Sequence, residues 1–472
     1  MDIIKKFFQF AMGNVIILFI GFITTPIITH LVSPEDLGKY SLFNTIGNLC
    51  ALICMMGTDQ AFIRFYYEET ECSRVKLSKV FLRFCLINSI ILCVCFWVLK
   101  SWISTMVIGT DSYLLIMGLC TFVLFNIIYN VVLLQLRVEQ KLNMYNVIHT
   151  LQKLFYLIFA VCIYRKGFYG LMSAIAMAYF FAGMLGMVLE KKVWLFSKTQ
   201  KITLRHNFKE ILFFGFPIFF SSIIAWVFQA SDKIMLKIFS DFRELGIYAS
   251  AADIIILLNA VQSAFATFWI PVAYEQYLKE PDNTEFFTKA NQIISLTMFS
   301  IAVVLIMTKD VLGFVLGSSY EEAVYIFPFL VFMPIMYTIS ETTVLGINFK
   351  KKTIYHIWIS IIASASNIAL NALLIPLYGA KGAAIGTGLA YFVYWGGRTA
   401  FSLKCFKVNY SLKEFFLSSA LVYGYAAYSS FNHINMFILI CGIFLLAIMC
   451  FLYRKIFIEI YKKAKNNTRR RV

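Results

Sequence analysis

Within or at the edge of otherwise apolar stretches of this chain stand the ionisable residues Asp59, Arg64, Lys153, Asp232, Lys233, Asp253, Glu341 and Arg398. Charge inside hydrocarbon is costly, so such residues face a bundle interior or a water-filled cavity and mark the path of an ion or a charged solute. Asp59, Arg64, Lys153, Glu341 and Arg398 fall in the half of their stretches nearer the basic loops, whereas Asp232, Lys233 and Asp253 fall in the other half. Gln229 and Lys233 are four apart and share a helix face. Asp232 points about 100° away from Lys233 and is expected to pair with a neighbouring helix. Arg64 and Arg398 lie close enough to a stretch end to snorkel instead. Asn44, Asn48, Asn126, Asn130 and Asn371 can line a lumen or join helices by hydrogen bonds.

Other chemistries find no footing. Cys50 and Cys54 sit four apart on one helix, but no His or carboxylate completes a metal site, and the five His are scattered. Most of the eleven Cys fall within apolar stretches and act as small hydrophobes. There is no Gly-rich phosphate loop, so no nucleotide site is expected. No Ser-His-Asp or Cys-His pairing arises from loop residues, and neither a metal nor a cofactor is expected. The loops opposite the basic ones are too short to house a catalytic domain, so the chain reads as a non-enzyme. Energy must come from an ion gradient, from solute concentration or from a separate enzyme.

The elements that hold these residues follow from hydropathy. The chain of 472 residues is 60% hydrophobic and only 14% charged, against about a quarter charged in soluble globular chains. A window of about 20 apolar residues, the length of a membrane span, fits roughly fourteen times. The windows are Phe8–Val32, Tyr40–Ile63, Phe81–Leu99, Tyr113–Leu134, Val147–Tyr164, Gly170–Leu189, Ile211–Phe239, Tyr248–Tyr274, Ile293–Thr308, Val324–Gly346, Ile357–Pro376, Ala383–Leu403, Phe415–Ser430 and Met436–Tyr453. Of the 42 Lys and Arg, 31 lie in alternate loops and the tail, including the Lys191–Lys209 connector and Arg469–Arg471. By the positive-inside rule both termini are cytoplasmic and the number of spans is even. The net charge of +17 is therefore mostly an orientation signal, suited to anionic headgroups and not to nucleic acid.

Two echoes reveal a repeat. Glu35-Asp36-Leu37-Gly38-Lys39-Tyr40 returns as Arg243-Glu244-Leu245-Gly246-Ile247-Tyr248. Gly167-Phe168-Tyr169-Gly170 returns as Gly379-Ala380-Lys381-Gly382, at nearly the same separation along the chain. Similar separations argue for duplication of a six-span unit, inserted both times in the same orientation because six is even. The expected fold is all-α and membrane-integral. It has one six-helix lobe over 1–205, a second over 206–410, and two extra helices with a basic tail over 411–472. Two such lobes suit alternating access around a central cavity.

Four stretches carry a family resemblance. They are the Pro34-to-Tyr40 turn, the run from Gly57 through Asp59 and Arg64 to Glu68, Ser231-Asp232-Lys233-Ile234-Met235-Leu236, and Asn367 to Thr387. With them the chain resembles the polysaccharide repeat-unit flippases, the O-antigen and capsule type exporters of the multidrug/oligosaccharidyl-lipid/polysaccharide (MOP) superfamily. The resemblance implies two six-helix lobes in an open V plus two further helices, in a bacterial cytoplasmic membrane. It implies an undecaprenyl-diphosphate-linked oligosaccharide as cargo, carried from the cytoplasmic to the outer leaflet. It also implies a cationic lumen for the anionic head group, matched here by Arg64, Lys153, Lys233 and Arg398. Asp59, Asp232, Asp253 and Glu341 are the matching counter-charges or carriers of a coupling H+ or Na+. Polysaccharide polymerase machinery is the expected protein partner.

Neighbouring readings stay open. A lipid-linked peptidoglycan-precursor flippase of the same superfamily also has fourteen spans. A drug/cation antiporter usually has twelve and an acidic residue in its first span, which Phe8–Val32 lacks. A membrane-embedded glycan polymerase or ligase is the enzyme alternative, and the short outer loops weigh against it.

Overall fold

The computed structural model describes residues 2–194 and 204–454. The Arg469–Arg471 tail and residues 195–203 of the Lys191–Lys209 connector lie outside the described residues. Among those described the chain is helical and has no strand. This is the expected outcome for apolar sequence, because only a helix satisfies its own backbone groups in hydrocarbon.

The helices run α1 Asp2–Leu31, α2 Pro34–Met55, α3 Thr58–Tyr66, α4 Glu71–Val98, α5 Lys100–Ile108, α6 Tyr113–Val138, α7 Leu142–Ile163, α8 Phe168–Leu189 and α9 Lys191–Trp194. They continue as α10 Phe208–Phe239, α11 Phe242–Lys279, α12 Thr284–Met307, α13 Val311–Val315, α14 Ala323–Leu330, α15 Phe332–Thr343, α16 Leu345–Phe349, α17 Ile354–Cys405, α18 Leu412–Ser429 and α19 Met436–Leu452. The hydropathy windows fall mainly on helix, with Tyr40–Ile63 broken at Met56–Gly57 and Val324–Gly346 at Val331 and Val344. By length and apolarity, nine of the described helices can cross a membrane, or ten if α2 and α3, bent by 48°, make one span.

Local chemistry sets the ends. Ser33 accepts from the Asp36 amide at 3.3 Å, with Pro34 opening α2. Asn435 does the same for Ile438 at 2.8 Å, at the start of α19. Glycines set the breaks. Gly379 interrupts the 52-residue α17 with φ 55° and ψ −131°, so two hydropathy windows share one hydrogen-bonded run with a sharp kink. Gly167, before α8, has the same φ 55° and ψ −131°. Only glycine adopts this conformation readily, and its recurrence at the echoed position writes the repeat into the backbone.

The chain divides into two compact units, Met1–Ile234 with Asp241–Ala249, and Met235–Ser240 with Ser250–Val472. The first contains a second mark of duplication. A Cβ on Gly38 would stand 1.9 Å from the Phe242 carbonyl oxygen, and one on Gly246 would stand 1.8 Å from that of Pro34. Pro34 precedes Gly38 by as many positions as Phe242 precedes Gly246. The two turns therefore cross reciprocally.

Aromatic packing fills the interior of each unit. In the first, Phe62 stacks on Phe81 at 5.0 Å and Phe43 meets Phe122 edge-on at 5.3 Å. In the second, Tyr277 stacks on Phe349 at 4.0 Å beside Trp269, Phe287 and Leu345. The outward faces are apolar too: Ile87, Ile90, Val94, Phe437, Ile440 and Phe444 are all exposed, which suits lipid and not water.

Candidate functional site

An enclosed ion pair lies in the second unit. Glu341 lies near the end of α15, and Arg398 lies on the arm of α17 after the Gly379 break. The Arg398 guanidinium donates from Nη2 to Glu341 Oε1 at 2.8 Å and from Nη1 to Ser340 Oγ at 2.6 Å. Both charged side chains are 7% exposed. Tyr337 and Tyr394 lie 4.9 and 5.3 Å from the guanidinium carbon and stack on each other at 5.8 Å. Arg398 is thus held inward by charge, hydrogen bond and cation–π contact, and it does not snorkel. Its Nε has no hydrogen-bond partner among the described residues. The Glu341 backbone is pinned as well, its carbonyl accepting from Trp269 Nε1 at 3.2 Å. Asp253, on α11 in the same unit, is half-buried.

In the first unit the charges separate. Asp232 is buried and accepts from the Tyr248 hydroxyl at 2.6 Å, across the turn joining α10 to α11. Lys233 and Lys153 are half-buried on α10 and α7. Arg64, at the end of α3, is 58% exposed and lies 3.6 Å from Glu68. Its guanidinium covers Phe214 at 4.7 Å, and it lines a cavity of about 490 Å³ with Phe65, Lys209, Glu210, Phe213 and Phe214. Asp59, on the same short helix, accepts from Gln60 at 2.8 Å.

The structure therefore brings Arg398 to Glu341 and Arg64 to Glu68, and gives Asp232 a tyrosine from the next helix. Two of the asparagines bond within their own helices. Asn371 is fully buried and donates to Asn367 at 3.1 Å, beneath Gly386. Asn130 donates to the Asn126 carbonyl at 2.8 Å.

Sequence reasoning missed several partners. Ser340, Tyr337, Tyr394 and Tyr248 carry no signal in hydropathy. Lys309, just past the Ile293–Thr308 window, has a side chain with 0% exposure, 3.1 Å from Asp310. Burial holds its ammonium below the ordinary lysine range, against the pull of Asp310. In the first unit, Lys141 bridges Glu139 at 2.7 Å and Glu190 at 2.6 Å. Burial pulls its pKa down, but the two carboxylates outweigh that and hold it above its usual value. Among the described residues, no three His, Cys, Asp or Glu side chains stand close enough to share a metal ion.

Comparison with known proteins gives this arrangement a setting. Residues 3–275 match the polysaccharide biosynthesis protein family, more than half of the chain. The capsular polysaccharide biosynthesis protein CapF of Staphylococcus aureus is 24% identical over 217 residues, 42% of this chain. The aligned stretch spans about half of that curated relative, 52% of its length. Among solved structures, the lipid II flippase MurJ in an inward closed conformation superposes with a TM-score of 0.73 at 16% identity, over 95% of this chain and 99% of MurJ. An inward-facing multidrug resistance MATE family transporter of the MOP superfamily gives 0.57 at 16% identity, over 83% and 94%. The chain belongs to the polysaccharide biosynthesis protein family, and its all-helical fold is similar to those of the lipid II flippase MurJ and the MATE family transporter.

Proposed function

We propose that this protein carries an undecaprenyl-diphosphate-linked oligosaccharide repeat unit from the cytoplasmic to the outer leaflet of a bacterial cytoplasmic membrane, by alternating access. The observation that carries the reading is a guanidinium enclosed within a membrane protein of a polysaccharide biosynthesis family. Arg398 is compensated by one carboxylate and keeps an unused Nε donor. Enclosing such a pair adds little stability, and intramembrane charge is by default functional. A diphosphate cannot cross hydrocarbon uncompensated, and a cation whose counter-ion can be exchanged is the group that compensates it.

In this reading Arg64, Lys153, Lys233 and Arg398 receive the diphosphate in turn. Asp59, Asp232, Asp253 and Glu341 hold cations in the empty state or carry a coupling H+ or Na+. Both termini face the cytoplasm. The duplicated lobes span 1–205 and 206–410, residues 411–472 are an appendage, and no step requires covalent chemistry.

The test is surface-glycan export in a strain lacking the gene. Lys153→Ala and Lys233→Ala abolish export at normal protein levels, and Arg at either position retains part of it. Lys166→Ala, in an outer loop, is silent. Normal export by both alanine variants overturns the cationic relay. Rescue of peptidoglycan-precursor transport instead of glycan export moves the cargo to the lipid II class.

A further inference from the structure

A second cationic feature lies on the periphery of the first unit, away from the charges assigned to transport. Lys79 and Arg83 are four residues apart on α4 and so share one helix face about 6 Å apart along the axis. Both lie in the first half of α4, the half that also carries Arg74 and Lys76. Along the same face, Leu86, Ile87 and Ile90 continue the stripe into the second half. Ile87 is 46% and Ile90 56% exposed, although they form no part of a water-facing loop. Trp194, on α9, supplies the opposite wall, and the walls enclose about 390 Å³. Its indole Nε1 is buried and has no hydrogen-bond partner among the described residues.

We propose that this groove binds an anionic phospholipid of the bilayer, with Lys79, Arg83 and the Trp194 indole around the phosphate and one acyl chain along Leu86, Ile87 and Ile90. Charge complementarity selects the occupant. The planar guanidinium of Arg83 matches phosphate oxygens, and basic pockets between spans on the cytoplasmic side take anionic headgroups. Indole rings settle at headgroup depth, where one edge is wet and the body is apolar. The apolar half of the groove separates a lipid from free phosphate, which would leave it empty. A zwitterionic lipid would fill the stripe but place its choline beside two cations. The site does not rest on the transport assignment, and its occupant is a bulk membrane lipid, not the cargo.

The purified full-length protein in dodecyl maltoside is titrated with dioleoyl phosphatidylglycerol, dioleoyl phosphatidylcholine or inorganic phosphate. Retained lipid is read by native mass spectrometry and the thermal midpoint in parallel. Phosphatidylglycerol is retained in preference to phosphatidylcholine and raises the midpoint, whereas inorganic phosphate does neither. The Lys79→Gln/Arg83→Gln variant binds phosphatidylglycerol about 30-fold more weakly, each cation near the surface contributing roughly fivefold. The exchange variant Lys79→Arg/Arg83→Lys retains the lipid, and Lys166→Gln is indistinguishable from wild type. If the double variant does not fold, Lys79→Gln and Arg83→Gln are read singly, each about fivefold weaker. Equal retention of the two lipids, wild-type retention by the charge variants, or equal stabilisation by inorganic phosphate overturns the proposal.

Discussion

Replacing Glu341 and Arg398 separately and together distinguishes a structural pair from a working one. The two charges stand 2.8 Å apart with both side chains 7% exposed. At an effective dielectric of about 20 their attraction is about 6 kcal/mol, most of which offsets the cost of desolvating them. Removing one partner strands the other. Glu341→Leu leaves a buried guanidinium with Ser340 and two tyrosine faces, and Arg398→Met leaves a buried carboxylate. Each single change is expected to cost about 3–5 kcal/mol, whereas the double change to Leu and Met is expected to come out near neutral. The assay is thermal unfolding of the purified protein in detergent, with surface glycan measured in cells complemented by each variant. Both single variants lower the midpoint, the double variant restores it, and the double variant still fails to export. A double variant no more stable than the worse single change would refute the energetic argument. A stable double variant that exports normally would remove Arg398 and Glu341 from the transport path.

Two further outcomes test the fold and its orientation. Gly38→Ala and Gly246→Ala each drive a methyl into a backbone carbonyl that cannot swing aside, costing upwards of about 1–3 kcal/mol. Gly21→Ala, with nothing within 4 Å, leaves stability and protein level unchanged; equal behaviour of all three variants would contradict the reciprocal crossing. In a background without native cysteines, Cys at Ser240 or Asn432 reacts with an impermeant thiol reagent from outside intact cells, and Cys at Asp282 does not. Labelling at Asp282 reverses the assigned orientation.

The sequence alone determined the all-helical membrane fold, because backbone in hydrocarbon has no other way to satisfy its hydrogen bonds. It also carried the two echoes. Acid-Leu-Gly-x-Tyr and the paired glycines are local signals, and Gly167 and Gly379 adopt one backbone conformation because no other residue adopts it readily. It marked Asp59, Arg64, Lys153, Asp232, Lys233, Asp253, Glu341 and Arg398 as residues out of place in lipid, since hydropathy registers a charge wherever it stands. Partnership was decided only by the tertiary structure. Arg398 and Glu341 are distant in sequence, and their meeting depends on how α15 and α17 are rotated about their axes. Hydropathy averages over that rotation, because these helices have one apolar face toward lipid and another toward protein. The same blindness hid the burial of Lys309 and the tyrosine beside Asp232. Side-chain direction, set by packing against helices distant in sequence, separates these cases.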